Sequence, residues 1–371
     1  MDKSKHIAAV PWYQSRDFWL KFLASSWTYL FLIAIIIFFS LTGRGFFTIR
    51  NFSNILVAST LVMMMAVGQT YVIITSGIDL SIAFTVGLAS VICATVMRDL
   101  ALAGHAIEVA IAAGVLAGML VAIIPGLVNG YLVAWVKVPP FIATLGMYGI
   151  VRGASFLLTD GQQVVGGLPS NLRDSLSSIG NGSLLYSIPD IGLVFFNRPP
   201  DLTPIQLRGT DLLLPYPVII AAIVVLVFGF ILGRTQFGRH TYVIGGNEDA
   251  AIRAGINVKR HLLIIYCISA FTASIAGILH VFRFTGGSPL AGEQALLSSV
   301  AAVVIGGTNL FGGEGRLSGT VVGALIIATL TTGLVILNID ALWQFIIVGV
   351  IIIVAVLVGR VQQSLERRQL T

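Results

Sequence analysis

Short polar breaks cut this chain into successive apolar runs, and that pattern limits its fold more than any other feature. Crossing roughly 30 Å of hydrocarbon at 1.5 Å per helical residue takes about 20 apolar residues. The runs fall at 27–41, 55–75, 80–97, 106–128, 141–158, 216–232, 261–284, 294–309, 317–337 and 341–358. The eighth is short and glycine-rich, so protein or water must surround its end. Composition agrees: 56% of the 371 residues are hydrophobic and 10% charged, against about 25% charged in soluble domains. A soluble enzyme, a disordered chain and a disulfide scaffold are excluded. The expected fold is all-α and polytopic, with about ten transmembrane helices. Cys93 and Cys267 lie in apolar runs and read as small core residues. The first run reads as an uncleaved anchor.

The net charge of +6 does not point to nucleic acid, because the basic residues sit mostly in loops and tails. Ten spans with both termini cytoplasmic put 14 of the 22 basic residues inside, as the positive-inside rule favours. The expected organisation is a cytoplasmic tail at 1–26, a membrane domain at 27–359 and a cytoplasmic tail at 360–371. Within the membrane domain, 160–214 faces outward and 234–260 inward. The outer stretch and the helix start after it carry seven of the 12 prolines, and the stretch holds the turn Gly180-Asn181-Gly182. Its apolar clusters argue against disorder, so it reads as an external cap of short helices or strands. Small-residue faces at Gly114, Gly118 and Gly323 suit close contact with a second copy of the chain.

The inner loop holds a short helix signal. Asn247 is a good N-cap, and Glu248 and Asp249 place negative charge on the first turn. Asp249 and Arg253 are spaced to pair, and Gly255 supplies a left-handed stop. A two-turn helix is marginal alone, so it is either a solvated connector or packed against something.

Here the sequence resembles a known family. Gly238-Arg-x-x-Tyr-x-Ile-Gly-Gly-Asn-Glu-x-Ala-Ala-x-x-x-Gly-Ile-Asn-Val258 is similar to the signature of permease subunits of bacterial monosaccharide ABC importers, the ribose-type branch. Further matches are Gly77-Ile78-Asp79-Leu80-Ser81, and Val303-Val304-Ile305-Gly306-Gly307 leading to Gly312-Gly313-Glu314-Gly315-Arg316 and Gly319-Thr320. The stretch after Gly182 is longer than is typical of the family. The resemblance implies a vitamin-B12-importer-like (type II) permease in the bacterial inner membrane. It implies a homodimer with a second copy of the permease, surrounded by membrane lipid. A periplasmic sugar-binding protein delivers substrate, and a cytoplasmic ABC ATPase subunit, which holds the ATP and magnesium, grips the inner loop. Gly245, Gly246, Asn247, Glu248, Asp249, Ala250, Ala251, Arg253, Ala254 and Gly255 match that coupling segment. Independently, none of the lysines at 3, 5, 21, 137 and 259 follows a glycine, so the chain has no phosphate-binding P-loop. It needs no cofactor of its own.

Polar residues within spans are functional suspects. Asp79 reads either as a cap of the third helix or as a gating group. Arg152 reads as paired or snorkelling. A neutral sugar needs hydroxyl partners, so Gln69, Thr70, Asp79, Ser81, Asn129, Thr144 and Ser155 are pathway or gate candidates, each set against plain helix–helix hydrogen bonding. Arg44, Arg50, Arg98, Arg173, Arg198 and Arg208 fall outside and are candidates for docking the binding protein, set against local pairing such as Arg98 with Asp99. Other cargo (a branched-chain amino acid, a nucleoside, a signalling furanose) and a secondary transporter remain open.

Overall fold

The computed structural model describes residues 16–354 apart from positions 166, 197, 200, 341 and 352, with side chains from residue 26 onward. Of the expected tails, 1–15 and 360–371 lie outside the described residues. In chain order the helices begin with α1 (Arg16–Thr42), α2 (Ile49–Ile74), α3 (Ile82–Leu102) and α4 (Ile107–Tyr131), which runs on through a π-helical turn at Leu132–Val136. Then come α5 (Pro140–Leu157), α6 (Ser170–Gly180), α7 (Pro204–Gly209) and α8 (Tyr216–Arg234). The last are α9 (Gln236–Gly246), α10 (Glu248–Arg253), α11 (Val258–Phe284), α12 (Ala295–Ile305) and α13 (Leu317–Ile336), and α14 (Leu342–Ile351). Seven are long and apolar enough to cross a membrane: α2, α3, α4 with its π turn, α5, α8, α11 and α13. Ser26–Thr42 of α1, α12 and α14 are shorter apolar helices. The chain is thus a helical, multi-pass membrane protein.

The apolar windows of α2 and α11 are 78% and 72% buried, against 22% for α4 and α8. The first pair is therefore the core of the bundle, and the second leaves most of its side chains at least partly exposed. Glycine permits the closest approaches. Gly277 of α11 rests on the Val86 carbonyl of α3, and Gly323 of α13 on the Ala302 carbonyl of α12. Gly114 and Gly118 of α4 face Cys93, Met97 and Ala89 of α3. The small-residue faces expected to meet a second copy are thus used within the chain. The sequence pattern marks a face as small without saying which helix covers it.

The loops fall into two groups at opposite ends of the helices. One end carries 75–81, 137–139, 235–257 and 306–316. The other carries the 158–215 stretch, where strands β1 (Leu185–Ile188), β2 (Gly192–Phe195) and β3 (Asp211–Leu212) form an antiparallel sheet in the order β2-β1-β3. This cap of short helices and strands is tied down at several points. Asn181 donates to the Arg283 carbonyl at 3.0 Å, Val164 bridges Gly287, and Arg50 pairs with Asp211 at 3.0 Å.

A side chain at Gly323 would force α12 and α13 apart, whereas one at Gly233 of α8 meets open space. We expect Gly323→Val to cost about 1–3 kcal/mol and to lower the unfolding midpoint in detergent. Gly233→Val leaves that midpoint within error, and paired thermal scans check the contrast.

Candidate functional site

Five of the seven polar candidates meet in one buried knot. The turn after α2 doubles back, so that Gln69 of α2 hydrogen-bonds both main-chain groups of Asp79. One Asp79 carboxylate oxygen accepts from the Ser81 amide at 3.0 Å and its hydroxyl at 2.6 Å. The other accepts from the Ser269 hydroxyl of α11 at 2.7 Å. Asn129 of α4 donates to the Ser81 hydroxyl at 2.9 Å, and Thr144 of α5 donates to the Ile78 carbonyl at 2.8 Å. Asp79 is 2% exposed, and Gln69, Asn129, Thr144 and Ser269 are fully buried. The carboxylate engages Ser81, the residue just before α3. The knot joins five helices around a turn and leaves Asp79 no face toward an open channel.

The other two candidates stand apart. Thr70 meets Thr320 of α13 at 2.9 Å, and Ser155 bonds back to the Val151 carbonyl at 2.8 Å within α5. Ser269 escaped sequence reading, since a lone serine in an apolar run carries no pattern. Arg152 lies over the rings of Phe84 and Phe156, 5.4 and 5.8 Å from their centroids, a cation–π arrangement.

The same end of the bundle holds α9 and α10. Asn247 caps α10, its side chain accepting from the Ala250 amide at 2.9 Å. Gly255 closes the helix with a positive φ of 80°. Arg253 reaches the main-chain carbonyl of Asp249 at 3.4 Å, so the expected side-chain pair gives way to a backbone contact. Lys137 pairs instead with Glu248 at 2.6 Å. Ala251 is fully buried, while Ile252 is 53% exposed. Gly246, Asn247, Glu248, Asp249, Ala250, Arg253, Ala254 and Gly255 are exposed as well. Ala251 therefore packs inward, and the outward surface is the rest of the segment.

The three sequence motifs converge here. A side chain at Gly245 would strike the Ile74 carbonyl, the last of α2, and Gly312 and Gly313 turn beside it with φ of 87° and 76°. The Gly313 amide donates to that Ile74 carbonyl at 2.9 Å. Ser76 donates to the carbonyls of Gly245 and Phe311 at 3.3 and 2.8 Å. Tyr242 donates to the Gly315 carbonyl at 2.9 Å; burial pushes its phenol above the ordinary range, although nearby Arg316 opposes this. Thr241 and His261 meet at 2.9 Å, which joins α9 to α11.

The arginine candidates divide. Arg50 and Arg98 are taken by Asp211 and Asp99, at 3.0 and 2.8 Å. Arg44, Arg173, Arg198 and Arg208 are exposed, and Arg198 lies over the Tyr186 ring. Among the described residues no group of three His, Cys, Asp or Glu is placed to hold a metal.

The model of the branched-chain amino acid transport system / permease component family matches residues 51–356. The ribose import permease protein RbsC of Escherichia coli K12 is 37% identical over 93% of this chain and 95% of its own. The xylose transport system permease protein XylH of Haemophilus influenzae is 35% identical, over 88% and 94%. The D-allose transport system permease protein AlsC of Escherichia coli K12 is 34% identical, over 89% and 90%. No solved structure matches. The chain belongs to this permease family, in the ribose-type branch of ABC importers, and is a multi-pass inner-membrane transport subunit.

Truncating Asp79 leaves the Ser81 and Ser269 donors buried without an acceptor. Asp79→Ala should destabilise the chain by about 3 kcal/mol. Asp79→Asn, which keeps one acceptor, costs less. Unfolding of both variants in detergent tests the ordering.

Proposed function

We propose that this chain is the membrane-spanning subunit of an ATP-driven importer for a monosaccharide, a ribose-like pentose or a hexose. The observation that carries the reading is the α9–α10 segment. It is braced against α2, α11 and the 306–316 loop, yet it presents a capped helix outward at the bundle end. Relatives named for ribose, xylose and allose support a sugar as cargo. On this reading the fold is the ten-helix, vitamin-B12-importer-like type, with α1, α12 and α14 completing the spans and both termini cytoplasmic. A periplasmic binding protein supplies the sugar at the 160–214 end, where Arg44, Arg173 and Arg208 remain available. A partner ATPase grips the exposed residues of 245–255. The knot residues Gln69, Asp79, Ser81, Asn129 and Thr144 act as a brace that moves with the gate, while Thr70 and Ser155 remain the pathway candidates outside it. Uptake by vesicles holding the chain and both partners, run against a panel of pentoses and hexoses, tests the cargo. The matching family's description favours one second reading, a branched-chain amino acid. Leucine therefore joins the panel; its uptake without sugar uptake selects that reading.

The buried and exposed faces of α10 make coupling testable. Ile252→Asp should leave the unfolding midpoint unchanged and abolish ATPase-driven uptake. Ala251→Asp, which buries a charge, should unfold the segment and lower the midpoint. Normal uptake by the Ile252→Asp variant refutes the assigned contact.

The second copy is assigned to α5. Gly146, Gly149 and Gly153 have nothing within 4 Å of where a side chain would begin, so a partner helix can approach closely there. A Gly149→Cys variant should form a disulfide-linked dimer on mild oxidation in membranes. Its failure to cross-link places the partner elsewhere.

A further inference from the structure

At the cap end, a cleft of about 610 Å³ opens between the hairpin and the start of α8. Its walls include Tyr186, Phe196, Arg198, Tyr216, Ile219 and Ile220. One side is therefore the first turns of a membrane helix, and the other is the sheet. The Tyr216 hydroxyl donates to the Phe196 carbonyl at 3.1 Å and fixes the two walls together. The Arg198 guanidinium stands 5.2 Å over the Tyr186 ring. Among the described residues it has no carboxylate or carbonyl acceptor, so its forked donors are free for an anion.

The surroundings are apolar. Leu193, Phe195 and Phe196 are 62%, 61% and 63% exposed, and Ile223, Leu226 and Phe230 continue the exposed apolar surface down α8. A strand and the residue after it that show two phenylalanines and a leucine to water are costly; a segment that dips into a leaflet is not. Tyrosines at this level match the aromatic belt of a membrane interface. The patch runs on without a break into the exposed apolar side of α8, a membrane-length helix, so a leaflet that bathes α8 covers these side chains as well.

We propose that this cleft binds the phosphate of an anionic phospholipid, with Arg198 pairing with the phosphate and an acyl chain lying on Ile219 and Ile220. The hairpin then anchors the cap in the leaflet beside α8. This site falls in the stretch after Gly182 and is independent of the cargo.

The test uses the full-length chain in mild detergent, titrated with phosphatidylglycerol, phosphatidylethanolamine or free glycerol phosphate, with bound molecules counted by native mass spectrometry. The parent should retain one phosphatidylglycerol that Arg198→Gln loses, an affinity drop of about tenfold for a lost charge-assisted pair. Arg198→Lys, which keeps the charge without the fork, should fall between them and show that the fold is intact. Glycerol phosphate alone should bind far more weakly than the lipid. Equal lipid retention by parent and Arg198→Gln overturns the proposal. So does glycerol phosphate binding as well as the lipid, which marks a free-anion site. A slower association with a binding protein at unchanged lipid count overturns it too, and returns Arg198 to protein docking.

Discussion

The Asp79 carboxylate holds together the part of the structure on which the rest depends. A buried backbone polar group needs a partner inside the protein, yet 75–81 is irregular chain whose buried part folds back to Gln69. It survives there because Gln69 takes its main-chain groups and Asp79 gathers Ser81 and Ser269. Asn129 and Thr144 extend the same arrangement to α4 and α5. A buried charge normally costs several kcal/mol; here three donors to one carboxylate offset part of that cost. Helices α2, α3, α4, α5 and α11 are thereby fixed to one turn, and motion of any of them is felt at Asp79.

Much of this was legible before any coordinates, because the strongest signals are local. Apolar runs mark spans, Asn247 marks a helix start and Gly255 its end. Each depends on neighbours in sequence, and each falls where the structure has a helix or its cap. Facing was not legible. Gly114, Gly118 and Gly323 read as small faces, but only packing shows that α3 and α12 already occupy them. Ala251 read as one of the coupling residues, yet a six-residue helix lying on a bundle must bury one side, and Ala251 is on it. Ser269 had no signal at all, since its partner is 190 residues away.

Two of the motifs that carry the family resemblance lie far apart in sequence and share one physical reason for some of their glycines. Gly245 on one side and Gly312 and Gly313 on the other bring two stretches of backbone within contact of the Ile74 carbonyl. A side chain at any of them would separate α9 from α2 and from the 306–316 loop. These positions are therefore tied to how α9 is mounted, and a mounting with main chain on main chain has little play.

The coupling proposed above would run through this mounting. Asn247 joins α10 to α9, and α9 is bonded to the end of α2 through Ser76 and to α11 through His261. From Ser76 to Asp79 is three residues of turn, and Asp79 is held by Ser269 of α11. The path from the exposed loop to the buried carboxylate thus closes on itself through α2 and α11, the two most buried spans. Side chains on flexible stems would absorb a displacement at either link. Backbone contacts at glycine and hydrogen bonds with short hydroxyl side chains pass it on. The exposed segment and the buried knot are on this view two ends of one rigid connection rather than two separate sites.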